Sequence, residues 1–167
     1  MRRSCLALPA LMVLCGCQDP VHAYQEAARQ LRFTLDRLEP SLELALPLER
    51  SQVRFRIRVG VENPSDRRFD LRSFHGLVFL EGGGDPVPMA HVDSDAGIDL
   101  PPRGRGSLDV DVRVGYRETR AHFEALRAVL DGRTRGTWRL DGEARVEVAG
   151  LPFTLPVETR LSPPERP

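Results

Sequence analysis

Three residue types in this chain have the chemistry to act on something: cysteine, histidine and the aspartates that follow His91. The four histidines, His22, His75, His91 and His122, are scattered along the sequence. No Gly-x-Ser-x-Gly, phosphate loop, dinucleotide fingerprint or paired metal-binding cysteines accompany them. In the run His91-Val92-Asp93-Ser94-Asp95-Ala96-Gly97-Ile98-Asp99, alternate carboxylates at Asp93, Asp95 and Asp99 are the oxygen donors that a hard cation such as calcium prefers. The glycine is one place away from the calcium-loop position, however, and no bidentate glutamate follows at the required spacing. The run reads as a solvated acidic loop. No catalytic set, cofactor or metal site is expected, and the chain reads as a non-enzyme.

The cysteines are more informative. Arg2 and Arg3 precede an apolar stretch from Leu6 to Leu14, and Leu14-Cys15-Gly16-Cys17 follows. Positive charge, a short apolar core and small residues before a cut are the parts of a secretory leader. The stretch is well short of the roughly 20 residues that span a bilayer. The cut site resembles a bacterial lipobox. That resemblance implies cleavage after Gly16, a lipid on the Cys17 thiol and an acylated new amino terminus. Gln18 after the cysteine implies sorting to the outer membrane, facing the periplasm. Cys5 and Cys15 leave with the leader and Cys17 is consumed by the lipid, so no thiol remains for a disulfide. The domain must stand on its core alone.

Charge narrows the partners. The chain has 24 basic and 24 acidic residues, and every basic one is arginine. Loss of Arg2 and Arg3 with the leader tips the balance slightly acidic. The arginines alternate with acids, as in Arg139, Asp141, Glu143, Arg145 and Glu147. Mixed charge on one face is a solvated surface, and no nucleic acid is expected.

The elements that carry these residues are mostly strands. His22 to Gln30 has helix formers enough for a turn or two. From Leu31 the apolar period is two: Leu31, Phe33 and Leu35, then Leu42, Leu44 and Leu46. The clearest run is Val53, Phe55, Ile57, Val59 and Val61 against Arg54, Arg56, Arg58, Gly60 and Glu62. Such alternation is a half-buried strand, apolar inward and charged outward. Asn63-Pro64-Ser65-Asp66 stops it. Phe69 and Leu71 make a short strand, Gly76 to Glu81 a central one, and Val87 to Val92 a strand that pairs back. Leu108 to Tyr116, Trp138 to Val148 and Leu151 to Leu161 complete the set. Phe123, Leu126, Val129 and Leu130 instead recur at three and four, so one helix is expected from Thr119 to Asp131, stopped at Gly132.

From Val59 to Ser65 the sequence resembles the late embryogenesis abundant type 2 family, also called the water stress and hypersensitive response domain. Its alternating strand ends in Asn-Pro, here Asn63-Pro64. A strand pair and a Leu-Pro loop follow, here Leu100-Pro101, and then a strand and a helix, here Leu108 to Asp131. A strand ending near glycine and a last strand carrying proline close it, here Trp138 to Gly150 and Leu151 to Thr159. Ser65 stands where many relatives have Asn, and Gly82 to Asp85 lengthens one hairpin. The resemblance implies an all-β, immunoglobulin- or fibronectin-III-like sandwich of about seven strands, with one helix before the penultimate strand. Asn63 and Pro64 then form a structural turn.

The expected organisation is a leader at residues 1–16, a lipidated tether at 17–30, a sandwich at 31–161 and a disordered tail at 162–167. The expected function is non-catalytic: a monomeric, lipid-anchored envelope protein associated with desiccation and water stress. The alternative is a module that binds an apolar lipid or acyl ligand, or that joins an envelope lipid-transport assembly. Phe123, Leu126 and Leu130 would line its groove.

Overall fold

A computed structural model describes residues 20–82, 85–116, 123–133 and 136–161, without the side chains of Leu48, Glu124 and Leu130. Cys17 and the leader lie outside the described residues, as do the expected helix cap at Thr119 and the tail at 162–167.

The chain is an all-β sandwich of two antiparallel sheets. In order, its elements are α1 (Pro20–Arg29), β1 (Arg32–Glu43), a 3-10 turn (Leu48–Arg50), β2 (Gln52–Glu62), β3 (Phe69–Glu81), β4 (Val87–Ser94), β5 (Ile98–Leu100), β6 (Arg105–Gly115), α2 (Phe123–Leu130), β7 (Thr137–Val148) and β8 (Leu151–Leu161). One sheet has the order β1-β2-β6 and the other β4-β3-β7-β8, with β5 continuing the β4 side of β3. Alternation does what it should on β2: Val53, Phe55, Ile57, Val59 and Val61 are all buried. They meet Leu71, Phe74, Val78, Leu140, Ala144 and Val146 of the opposite sheet in one apolar cluster. Phe55 and Trp138 pack edge to face across it, with centroids 6.0 Å apart.

One difference from the expected elements comes from an extra residue in a strand. The two strands expected between Phe69 and Glu81 are a single strand. Its inward row runs Phe69, Leu71, Phe74, Val78 and Leu80. Arg72 is the extra residue that carries the row from Leu71 to Phe74, because the register with β7 slips there. Asp36 does the same in β1, so that Leu35 and Leu38 both point inward. Met89 does it in β4. At Leu44 and Leu46 the expectation of a strand fails for another reason. The ladder between β1 and β2 ends at Glu43 with Gln52, which leaves 44–51 as connection. Leu44 and Leu46 are therefore exposed, at 70% and 88%.

The helices flank this core. α1 buries Ala27 and Ala28, and Tyr24 lies under the Arg67 guanidinium, 5.3 Å from its ring centre. α2 ends in a Schellman motif: Arg133 N–H donates to the Ala128 carbonyl at 2.8 Å, and Gly132 N–H to that of Val129 at 3.0 Å. Gly132 has φ of 70°, which glycine reaches without a Cβ penalty. Among the described residues no helix is long and apolar enough to cross a membrane.

Candidate functional site

The outward side chains of β2 are arginines because its inward ones are apolar and the period is two. Its neighbour β6 carries aspartates in the same rank. The register sets Arg58 opposite Asp109 and Arg56 opposite Asp111. Arg58 grips Asp109 with both Nε (2.7 Å) and Nη2 (3.2 Å). Arg54 reaches diagonally to Asp111, donating from Nε to Oδ1 at 2.6 Å and from Nη2 to Oδ2. Two-point contacts of this kind are the strongest surface pairs, because the planar fork matches the carboxylate. Hydrogen bonds from the guanidinium, helped by its charge, hold the Asp109 and Asp111 carboxyls below the usual carboxylate range. The same bonds raise Arg54 and Arg58.

The other sheet repeats the pattern on its outer face. Arg72 donates to Glu147 at 3.0 Å. Arg139 lies between Glu81 and Asp141, 3.2 Å from each. Arg160 joins Glu81 to Glu158. Arg139 also stacks over the Phe79 ring, 4.7 Å from its centre. Both faces of the sandwich are thus lattices of paired charge. Sequence patterning marks these residues as outward, but it does not say who pairs with whom. The signal that would have helped is the match of Arg-x-Arg-x-Arg on β2 with Asp-x-Asp on β6.

Asn63 is buried where β2 ends. Its Nδ2 donates to the carbonyls of Arg67 (2.6 Å) and Pro101 (2.9 Å), with a longer contact to that of Leu100 (3.3 Å). Its Oδ1 accepts from Ser65 N–H at 3.1 Å and from Ser65 Oγ at 2.8 Å. The turn at Asn63-Pro64 and the loop at Leu100-Pro101, separate along the sequence, are one hydrogen-bonded unit. Ser65 works within this arrangement, because its hydroxyl also accepts from Arg67 N–H at 3.2 Å.

The remaining candidates are dispersed. Asp93 is bonded to His75 Nδ1 at 2.9 Å, and Asp99 to Arg68. Both strands of the expected acidic loop are paired with β3, so Asp93 and Asp99 face different partners. Of the helical trio, Leu126 is 1% exposed and belongs to the core. Phe123 is half-buried and packs edge-on against Tyr116, and the Leu130 side chain lies outside the described residues.

No family model matches this chain, and no curated protein does. Solved structures do. A protein from Archaeoglobus fulgidus is 13% identical, with a TM-score of 0.43, over 78% of this chain and 98% of its own. A protein from Arabidopsis thaliana, solved in solution, is 16% identical with a TM-score of 0.41, over 77% and 80%. The solution structure of a candidate late embryogenesis abundant protein is 16% identical with a TM-score of 0.32, over 86% and 78%.

Proposed function

We propose that this protein is a lipid-anchored component of the cell envelope that protects surfaces during water loss by presenting a folded domain, without turning over a substrate. The leader and Cys17 supply the anchor in this reading, and the resemblance at Asn63-Pro64 and Leu100-Pro101 suggests the stress. The observation that carries it is the bidentate pairing of Arg54 with Asp111 and Arg58 with Asp109. A lone charge loses its hydration when water is withdrawn, at a cost of several kcal/mol in a fully dry environment. A charge already bonded to a fixed counter-charge keeps its partner, and the attraction grows as the surrounding dielectric falls. A surface built of such pairs stays folded and polar while it contacts head groups or other proteins.

The test is survival. A strain lacking the protein should recover less well from drying or osmotic shock, and the wild-type gene should restore recovery. Asp109→Asn with Asp111→Asn should restore it only in part, whereas single changes at His75 or His91 should restore it fully. Unchanged recovery of the deletion strain after drying overturns the reading.

A further inference from the structure

Every sheet has two edges, and an edge strand presents unpaired N–H and C=O groups to any other strand. The edges here are β1 and β6 of one sheet, and β8 and the β4–β5 side of the other. Three of them are blunted. β1 has Pro40 and the extra residue Asp36, and Leu35 N–H beside it donates to Thr159 Oγ1 of β8 at 3.0 Å. β4 has Pro88 and the extra residue Met89. β8 has Pro152 and Pro156. Proline removes a donor, and an extra residue breaks the ladder. β6 has neither device: its 11 residues pair with β2 without a slip from Arg105 to Gly115.

Bond parity shows what β6 offers. The pairs just beyond its two ends are hydrogen-bonded, Asn63 N–H to the Gly104 carbonyl and Tyr116 N–H to that of Ser51, both at 2.9 Å. In an antiparallel ladder bonded pairs alternate. The even-numbered residues of β6 therefore bond to β2. Ser107, Asp109, Asp111 and Arg113 turn their backbone groups outward. Along the inner face of this edge Val110 and Val112 are only half-buried. A depression of 430 Å³, lined in part by Met89, Ala90, Val112 and Val114, lies against it.

We propose that β6 pairs with β6 of a second copy of this chain, antiparallel about a two-fold axis at Val112, joining the two three-stranded sheets into one of six. Among centres from 109 to 113, charge favours this one. An axis at 109, 111 or 113 sets a charged residue against its own copy, and one at 110 sets Asp109 against Asp111; like charges directly opposite are unfavourable. With the axis at Val112, Asp111 faces the partner's Arg113 and Arg113 faces the partner's Asp111. Among the described residues Arg113 forms no salt bridge, although its charge already acts on Asp111 of its own strand. Asp111, held by Arg54 at both oxygens, still has lone pairs to accept from a second guanidinium. Val110 would lie against the partner's Val114, and the depression would be covered from both sides. The proposal departs from the monomer expected from sequence, and it does not depend on the anchor or on the stress role.

Cysteine cross-linking of the full-length protein in cells tests it. At the axis Val112 opposes the partner's Val112 in a non-bonded pair, where Cα atoms lie about 4.5 Å apart and a disulfide fits. Under a mild oxidant Val112→Cys should give a covalent dimer above the wild-type background. Val110→Cys, facing Val114, should not. Arg113→Asp, at an exposed position, should reduce the Val112→Cys dimer several-fold, and adding Asp111→Arg should bring it back. Equal cross-linking at 110 and 112, indifference to Arg113→Asp, or a covalent product with a different protein overturns the proposal.

Discussion

Asn63 Nδ2 donates to the Pro101 carbonyl at 2.9 Å, across 38 residues of sequence. The bond fastens the end of β2 to the loop that leads into β6, and β6 then returns beside β2 in register. Asn63→Ala would take a donor from the Arg67, Leu100 and Pro101 carbonyls and an acceptor from the Ser65 N–H in a buried site, with the Pro101 carbonyl keeping its bond from Gly104 N–H. A loss of about 2–4 kcal/mol is expected in urea unfolding of the protein. Asn63→Asp should cost at least as much, since a carboxylate cannot donate to the carbonyls. Unchanged stability in both variants would refute the role of this bond.

A second contrast lies within β2. Ile57 is buried between the sheets, whereas Arg56 is exposed on the outer face. Ile57→Asp buries a carboxylate without a partner and should unfold the protein, a loss of more than about 4 kcal/mol. Arg56→Asp should cost about 1 kcal/mol or less. Circular dichroism and urea titration of the pair measure this, and equal effects would place the strand's faces the other way round.

Gly76 and Gly142 face each other on β3 and β7. A Cβ at Gly142 would overlap the His75 carbonyl oxygen and lie 2.8 Å from the Gly76 Cα. These are backbone atoms, so only a separation of the two strands could relieve the overlap. Gly142→Ala should lose about 2–3 kcal/mol or more. At Gly115 a Cβ meets nothing within 4 Å, and Gly115→Ala should be close to neutral. Thermal unfolding of the two variants tells them apart.

Acid should weaken the fold partly through the ladder between β2 and β6. The Asp109 and Asp111 carboxyls titrate lower in the folded state than in the unfolded chain, first because Arg58 and Arg54 hydrogen-bond their charged forms. The unfolded chain therefore takes up these protons first as pH falls. The contribution is present in full above the unfolded carboxylate value of about 4 and is lost as pH drops through the lower folded values. Asp109→Asn with Asp111→Asn should lower the urea midpoint at pH 7 and flatten its decline below about pH 4. A decline as steep as that of the wild type would show that the pairs contribute nothing to folding.

The proposed anchor has its own measurement. Cys17→Ser should leave an uncut precursor without lipid, while the wild-type protein should begin at an acylated Cys17. Mass spectrometry of the amino-terminal peptide reads both. The same unmodified mature terminus in wild type and variant would overturn the anchor.

Much of this architecture was legible in the residues themselves. A strand of alternating Val, Phe and Ile against Arg has only one way to bury its apolar side, so β2 was readable from composition and period. The stop of α2 was readable from Gly132, because few other residues adopt its φ without strain. The unity of β3, however, depends on Arg72 standing out of register with β7, and the end of β1 depends on where β2 begins to pair. Neither is a property of the local sequence. The charged faces divide in the same way: period two alone turns Arg54, Arg58, Asp109 and Asp111 outward. Which arginine meets which aspartate is decided only by a register between strands more than 50 residues apart, set by the Asn63 bonds and by the packing of the two sheets. Local patterning determines the direction of each side chain, because strand geometry alone sets it. Partnership is a tertiary matter, because a shift of two residues in register would keep every apolar side chain inward and change every pair.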